Sequence, residues 1–115
     1  MGVALEKSYN FALNTVKSCY TIMQEHKEYI ITKQLIRCAT SVGANIEEAQ
    51  GGQSVKDFTA KMYIAYKEAK EAHYWYRLLK DLNMISLKEA KEGLEAAEEL
   101  QRIIGSICKT SKNIK

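Results

Sequence analysis

Apolar residues return at alternating steps of four and three along nearly the whole chain, and no proline interrupts them. Such spacing keeps one side of an α-helix turned toward a neighbour, whereas an interior proline would break the helix. Four stripes stand out. Leu5, Tyr9, Ala12, Val16, Cys19 and Met23 form the first; Ile31, Leu35, Cys38, Val42, Asn45 and Ala49 form the second, thickened by Ile46. Val55, Phe58, Met62, Ala65, Ala69, Ala72, Tyr76 and Leu79 make the longest. Leu87, Ala90, Leu94, Ala97, Gln101 and Ile104, with Leu100 and Ile107, make a weaker fourth.

The breaks between stripes carry helix punctuation. Ser54-Val55-Lys56-Asp57 and Ser86-Leu87-Lys88-Glu89 fit a capping box, and Gly51-Gly52 offers permissive backbone at a helix end. His26-Lys27-Glu28-Tyr29 and Asp81-Leu82-Asn83-Met84 are the remaining polar junctions. Helices are therefore expected at roughly 3–26, 30–50, 54–82 and 86–110 of one domain. Short connections favour antiparallel neighbours, so the fold class is all-α, an up-down four-helix bundle.

Composition narrows the function classes. At 115 residues, 46% hydrophobic and 27% charged, the chain can bury a core without covalent staples. A net charge of +3 permits an acidic partner without demanding one. Cys19, Cys38 and Cys108 are widely spaced and odd in number, the pattern of free thiols in a reducing compartment. No apolar run reaches the length of a membrane span, and MGVALE carries neither a secretory leader nor a myristoylation signal. A cytoplasmic protein is expected.

Enzyme constellations do not assemble. Di-iron bundles need Glu-x-x-His on two helices, but His26 and His73 follow Met23 and Lys70 at that spacing. Two distant histidines without paired cysteines make a poor zinc set, and no arginine precedes a histidine as helical ribonucleases of the HEPN type require. Neither a phosphate-binding glycine loop nor a nucleophile elbow is present. The expectation is no catalysis, no cofactor and no metal. An enzyme using Glu48 is the sharper alternative, and it lacks a second acid, base or nucleophile at helpful spacing.

The third helix is the informative one. Opposite its inward stripe lie Lys56, Tyr63, Tyr66, Lys67, Lys70, Tyr74 and Arg77. Lysines can neutralise a phosphate backbone while tyrosine rings stack on bases, so Lys56, Tyr63, Lys67, Lys70 and Arg77 are candidate nucleic-acid contacts. The alternative is a solvated face. A third arc carries Ile64, Trp75, Leu78 and Leu82, a second apolar flank that a lone bundle does not need. It reads as a subunit interface, or else as part of a wide core. Asn45 and Glu48 fall on or beside the inward arc of the second helix and are expected to bond adjacent helices.

Residues 41–58, SVGANIEEAQGGQSVKDF, and 64–85, IAYKEAKEAHYWYRLLKDLNMI, resemble the four helix bundle protein family, also called the S23 ribosomal or rRNA intervening-sequence protein family. Ser41, Val42, Asn45, Ile46, Glu48, Ser54, Asp57, Phe58, Ile64 and Ala65 match its pattern. Ala49 stands where the family often has glycine, and Gly52 where many members have arginine. The resemblance implies a homopentameric ring of bundles. It also implies kinship with the accessory variability protein of diversity-generating retroelements, which binds nucleic acid and a reverse transcriptase. The functional expectation is a non-catalytic oligomer that binds RNA or DNA and presents it to a protein; the alternative is a protein-only scaffold.

Overall fold

The computed structural model describes residues 2–112. Four helices, α1 (Gly2–His26), α2 (Ile30–Gln50), α3 (Val55–Asp81) and α4 (Leu87–Lys112), follow one another in the chain. Each packs against its sequence neighbours and α4 returns to α1, leaving α1 and α3 at opposite corners. The result is a rod of 49 × 20 × 19 Å. It is the up-down bundle that short connections favour. α3 is one residue shorter at each end than the spacing suggests, because Ser54 and Leu82 serve as its caps. α4 runs two residues beyond its expected end at 110.

Helices α2, α3 and α4 each start for a local reason. The Ser54 hydroxyl accepts from the Asp57 N–H at 3.1 Å. At α4 the Ser86 hydroxyl accepts from the Glu89 N–H at 3.1 Å and donates to its carboxylate at 3.0 Å. That carboxylate also accepts from Ser18 at 2.8 Å, pinning the start of α4 to α1. At α2 the N-cap residue is Tyr29, which makes no side-chain cap, and the residue before it, Glu28, supplies one. Its carboxylate accepts from the N–H groups of Ile30, Ile31 and Thr32 at 3.0, 2.9 and 2.9 Å, meeting donors that a helix start leaves unsatisfied. Burial pushes the Glu28 carboxyl up, but these N–H groups outweigh it and hold the group below its ordinary value.

The helix ends do not use glycine as its position suggests. No described glycine has a positive φ. The left-handed residues are Lys27, at φ 55°, and Asn83, at φ 59°. Asn83 closes α3 in a Schellman arrangement, with Asn83 N–H to Lys80 O and Met84 N–H to Leu79 O, both 3.0 Å. Gly52 sits in a tight place for a different reason. A Cβ there would stand 3.1 Å from the Ala49 carbonyl and 3.3 Å from the Phe58 nitrogen.

The core follows the second and third stripes closely and departs from the first. Leu35, Cys38, Val42, Ile46, Met62, Ala65, Ala69, Ala72, Tyr76 and Leu79 are all buried. On α1 the buried line is instead Ala4, Ser8, Phe11, Thr15, Ser18, Cys19 and Ile22, and Tyr9 is exposed. Polar side chains enter the core because each finds a partner. The Thr15 and Tyr76 hydroxyls share a hydrogen bond at 2.7 Å, Ser8 donates to the Leu5 carbonyl at 3.1 Å, and Thr59 pairs with Ser111. Val55 and Leu87, counted in the stripes, lie exposed in the first turns of α3 and α4.

Asn45 also departs from expectation. It is half-buried, and its amide donates to the Ser41 carbonyl at 2.8 Å and the Ser41 hydroxyl at 2.9 Å, both within α2. Four residues along a helix bring the two side chains onto one face, so the amide is satisfied without crossing to another helix. Glu48 does cross, pairing with Lys61 of α3 at 2.9 Å. Both groups are substantially exposed, so this pair contributes little to stability.

Candidate nucleic-acid interface

Between the N-terminal half of α3 and the C-terminal half of α4 runs an open groove of about 880 Å³. Lys56, Thr59 and Tyr63 line one wall; Gly105, Cys108, Lys109 and Lys112 line the other. Lysines therefore stand on both rims, and no carboxylate lines it. The floor is sealed where Thr59 meets Ser111. Gly105 makes room for Tyr66, whose Cε1 would lie 3.2 Å from a Cβ at that position.

Two tyrosines give the groove an aromatic surface. The Tyr63 and Tyr66 rings are 6.3 Å apart and tilted by only 12°. Tyr63 is 51% exposed. The Lys67 ammonium sits 5.8 Å from the Tyr63 ring centre and that of Lys70 sits 5.9 Å from Tyr66, within cation–π range. Four of the five candidate contacts thus gather here: Lys56 and Tyr63 in the groove, Lys67 and Lys70 over its rings. Arg77 does not. It lies about two turns further along α3, 5.6 Å from the Tyr74 ring. Between the two positions His73 Nε2 and a Glu98 oxygen, 2.8 Å apart, bridge α3 to α4.

Lys109 and Lys112 were not singled out by the spacing of the third helix, and the signal for them lay in α4. Its first half sets Glu89, Glu92, Glu95, Glu98 and Glu99 against Lys88 and Lys91, while its second half has only Arg102, Lys109 and Lys112 as charged residues. In an antiparallel pair the basic half of α4 must lie beside the start of α3, where Lys56 is. The two basic segments, unremarkable apart, make one patch together.

The second apolar flank of α3 is divided. Ile64 and Leu82 are exposed, whereas Trp75 and Leu78 are half-buried, with Trp75 packed against the core. The Trp75 indole N–H donates to Glu71 at 3.1 Å. Arg37 of α2 donates to the same carboxylate, to Glu68 at 3.3 Å and to the Cys38 sulfur at 3.3 Å. Cys38, Glu68 and Glu71 are close enough together to hold a metal ion. Arg37 already supplies positive charge at their centre, so the group is a hydrogen-bonded clasp between α2 and α3. Burial pushes the Glu71 carboxyl up, but Trp75, Cys38 and Arg37 prevail and hold it below its ordinary value.

The cysteines and the cavity between α1 and α4 can be described in the same terms. Burial pushes the Cys19 thiol up to about 12, and raises Cys38 and Cys108 as well, so all three stay protonated and inert near neutrality. The seam between α1 and α4 holds a cavity of about 400 Å³ that reaches Tyr76. Burial raises the Tyr76 hydroxyl, and Thr15 occupies it. Among the described residues no helix is long and apolar enough to cross a membrane.

Known proteins place this architecture. None of the curated proteins compared with the chain matches it. A crystal structure from Bacteroides thetaiotaomicron VPI-5482, of a protein with unknown function from the S23 ribosomal protein family, superposes with a TM-score of 0.89. The two are 37% identical over 92% of this chain and 98% of that one. The family model for the 23S rRNA-intervening sequence protein matches residues 3–106. The chain is therefore a member of the 23S rRNA-intervening sequence protein family.

Proposed function

We propose that this protein is a non-catalytic cytoplasmic scaffold that assembles with its own copies and binds nucleic acid along the α3–α4 groove. The observation that carries the reading is the acid-free furrow with lysines on both rims and an exposed tyrosine between them. Phosphates supply the charge such rims attract, and bases supply faces for the ring. A protein that handles nucleic acid, such as the reverse transcriptase that the retroelement kinship suggests, would receive the strand from this surface.

Assembly is supported by exposed apolar side chains at opposite corners of the bundle. Tyr9, Leu13 and Tyr20 are exposed along α1, and Ile64 and Leu82 along α3. Unlike faces that mate join copies head to tail, and a constant rotation closes such a chain into a ring. A ring repeats the groove around its rim and multiplies modest affinity into avidity. The figure of five subunits comes from the family resemblance.

The same exposed residues favour the rival reading, a scaffold for proteins alone. Titrating labelled RNA and DNA across a salt series separates the two. Nucleic-acid binding predicts affinity that falls as salt rises, and weaker binding when Lys67 and Lys70 become glutamate. Absent binding at low salt, or affinity indifferent to salt and to both substitutions, supports the protein-only scaffold.

A further inference from the structure

The nucleic-acid reading leaves open which form of strand the groove accepts, and the inference here rests on that reading. We propose that the groove takes a single strand rather than a duplex. An unpaired base lies on Tyr63, and its flanking phosphates are held between Lys56 of α3 and Lys109 and Lys112 of α4.

Three features point this way. The first is where the rings are. Tyr63 and Tyr66 lie within the furrow, nearly parallel and 6.3 Å apart, with Tyr63 half open to solvent. In a duplex both faces of each base are covered by neighbours in the stack, so a tyrosine meets only edges and phosphates. Unpaired bases offer a bare face, and every base has one. The second is width. α3 and α4 touch at the furrow's floor, where Thr59 pairs with Ser111 and Tyr66 packs against Gly105, and a cleft that narrows to contact suits one strand better than a paired cylinder. The third is charge. The lysines stand on opposite rims, which suits a backbone threaded between them, whereas a duplex resting on top would meet charge without the rings.

The groove is also bounded. From Lys56 to Lys70 is about 21 Å along the helix axis. Beyond it the His73–Glu98 bridge joins the helices and the acidic half of α4 begins. A footprint of about four nucleotides or slightly more fits that length.

The test uses fluorescence anisotropy with labelled oligo(U) and oligo(dT), which do not pair with themselves, and their blunt duplexes with complementary strands of equal length. At low salt the single strand is expected to bind at least about tenfold tighter than its duplex. Tyr63→Ala should cost the single strand about tenfold, Tyr63→Phe should leave it unchanged, and neither should alter the helical circular dichroism. The RNA and DNA arms show which sugar the groove prefers, and the single strand winning in either one supports the inference. Equal or tighter duplex binding in both arms, or indifference to Tyr63→Ala, overturns the single-strand inference while leaving nucleic-acid binding in place. No binding of any probe overturns both.

Discussion

Glu28 holds the start of α2, because three N–H donors converge on one carboxylate. Replacing it with alanine should cost about 1 kcal/mol in chemical denaturation at neutral pH. The pH dependence has a definite sign. The folded-state pKa lies below the ordinary value of 4.5, so the stabilisation is complete above the unfolded value and is lost as pH falls through the folded one. The stability gap between wild type and Glu28→Gln should therefore stay constant above about pH 5 and narrow in more acid solution. A gap that persists unchanged at the acid limit would mean the carboxylate is not the cap. Lys27 offers the opposite experiment. Its left-handed φ of 55° strains any residue with a Cβ, so Lys27→Gly should raise stability by up to about 1 kcal/mol, read from the denaturation midpoint.

At the scale of the helix, side-chain size and pairing decide what the core accepts. Gly93 of α4 lies so close against the Tyr76 ring that an added methyl group would overlap it. Gly93→Ala improves helix propensity by about 1 kcal/mol, yet the buried ring has little room to retreat. A net loss of about 1–3 kcal/mol in thermal or chemical unfolding is expected. These contacts also explain what was legible in the sequence. Where stripes are aliphatic, as on α2 and α3, periodicity located the buried face directly. On α1 it settled on Tyr9 rather than Ser8, because a search for apolar residues passes over serine and threonine. Ser8, Thr15 and Ser18 are buried all the same, each satisfied by a backbone carbonyl, by Tyr76 or by Glu89. Partners on distant helices are invisible to local spacing. The groove was half legible for the same reason: Lys56, Tyr63, Lys67 and Lys70 share one helix face, while Lys109 and Lys112 join them only through the antiparallel pairing of α3 and α4.

For the whole molecule, two kinds of surface matter: the exposed apolar side chains of α1 and α3 that would join copies, and the groove that would hold a strand. Light scattering at micromolar concentration should find an oligomer, and Leu82→Asp should shift it toward monomer with its helical signal kept. A well-folded monomeric wild type would remove the ring and its avidity. The thiols give a check on the bundle itself. With all three buried, native protein should react with a thiol reagent far more slowly than denatured protein. The most direct test of the central claim is the salt dependence of single-strand binding in wild type and in the triple variant Lys56→Ala, Lys109→Ala, Lys112→Ala. Each phosphate contact on a single strand contributes about 0.7 to the slope of log K against log salt. Removing three should flatten the slope by about 2 and weaken binding at low salt; an unchanged slope would contradict the assignment of the strand to this groove.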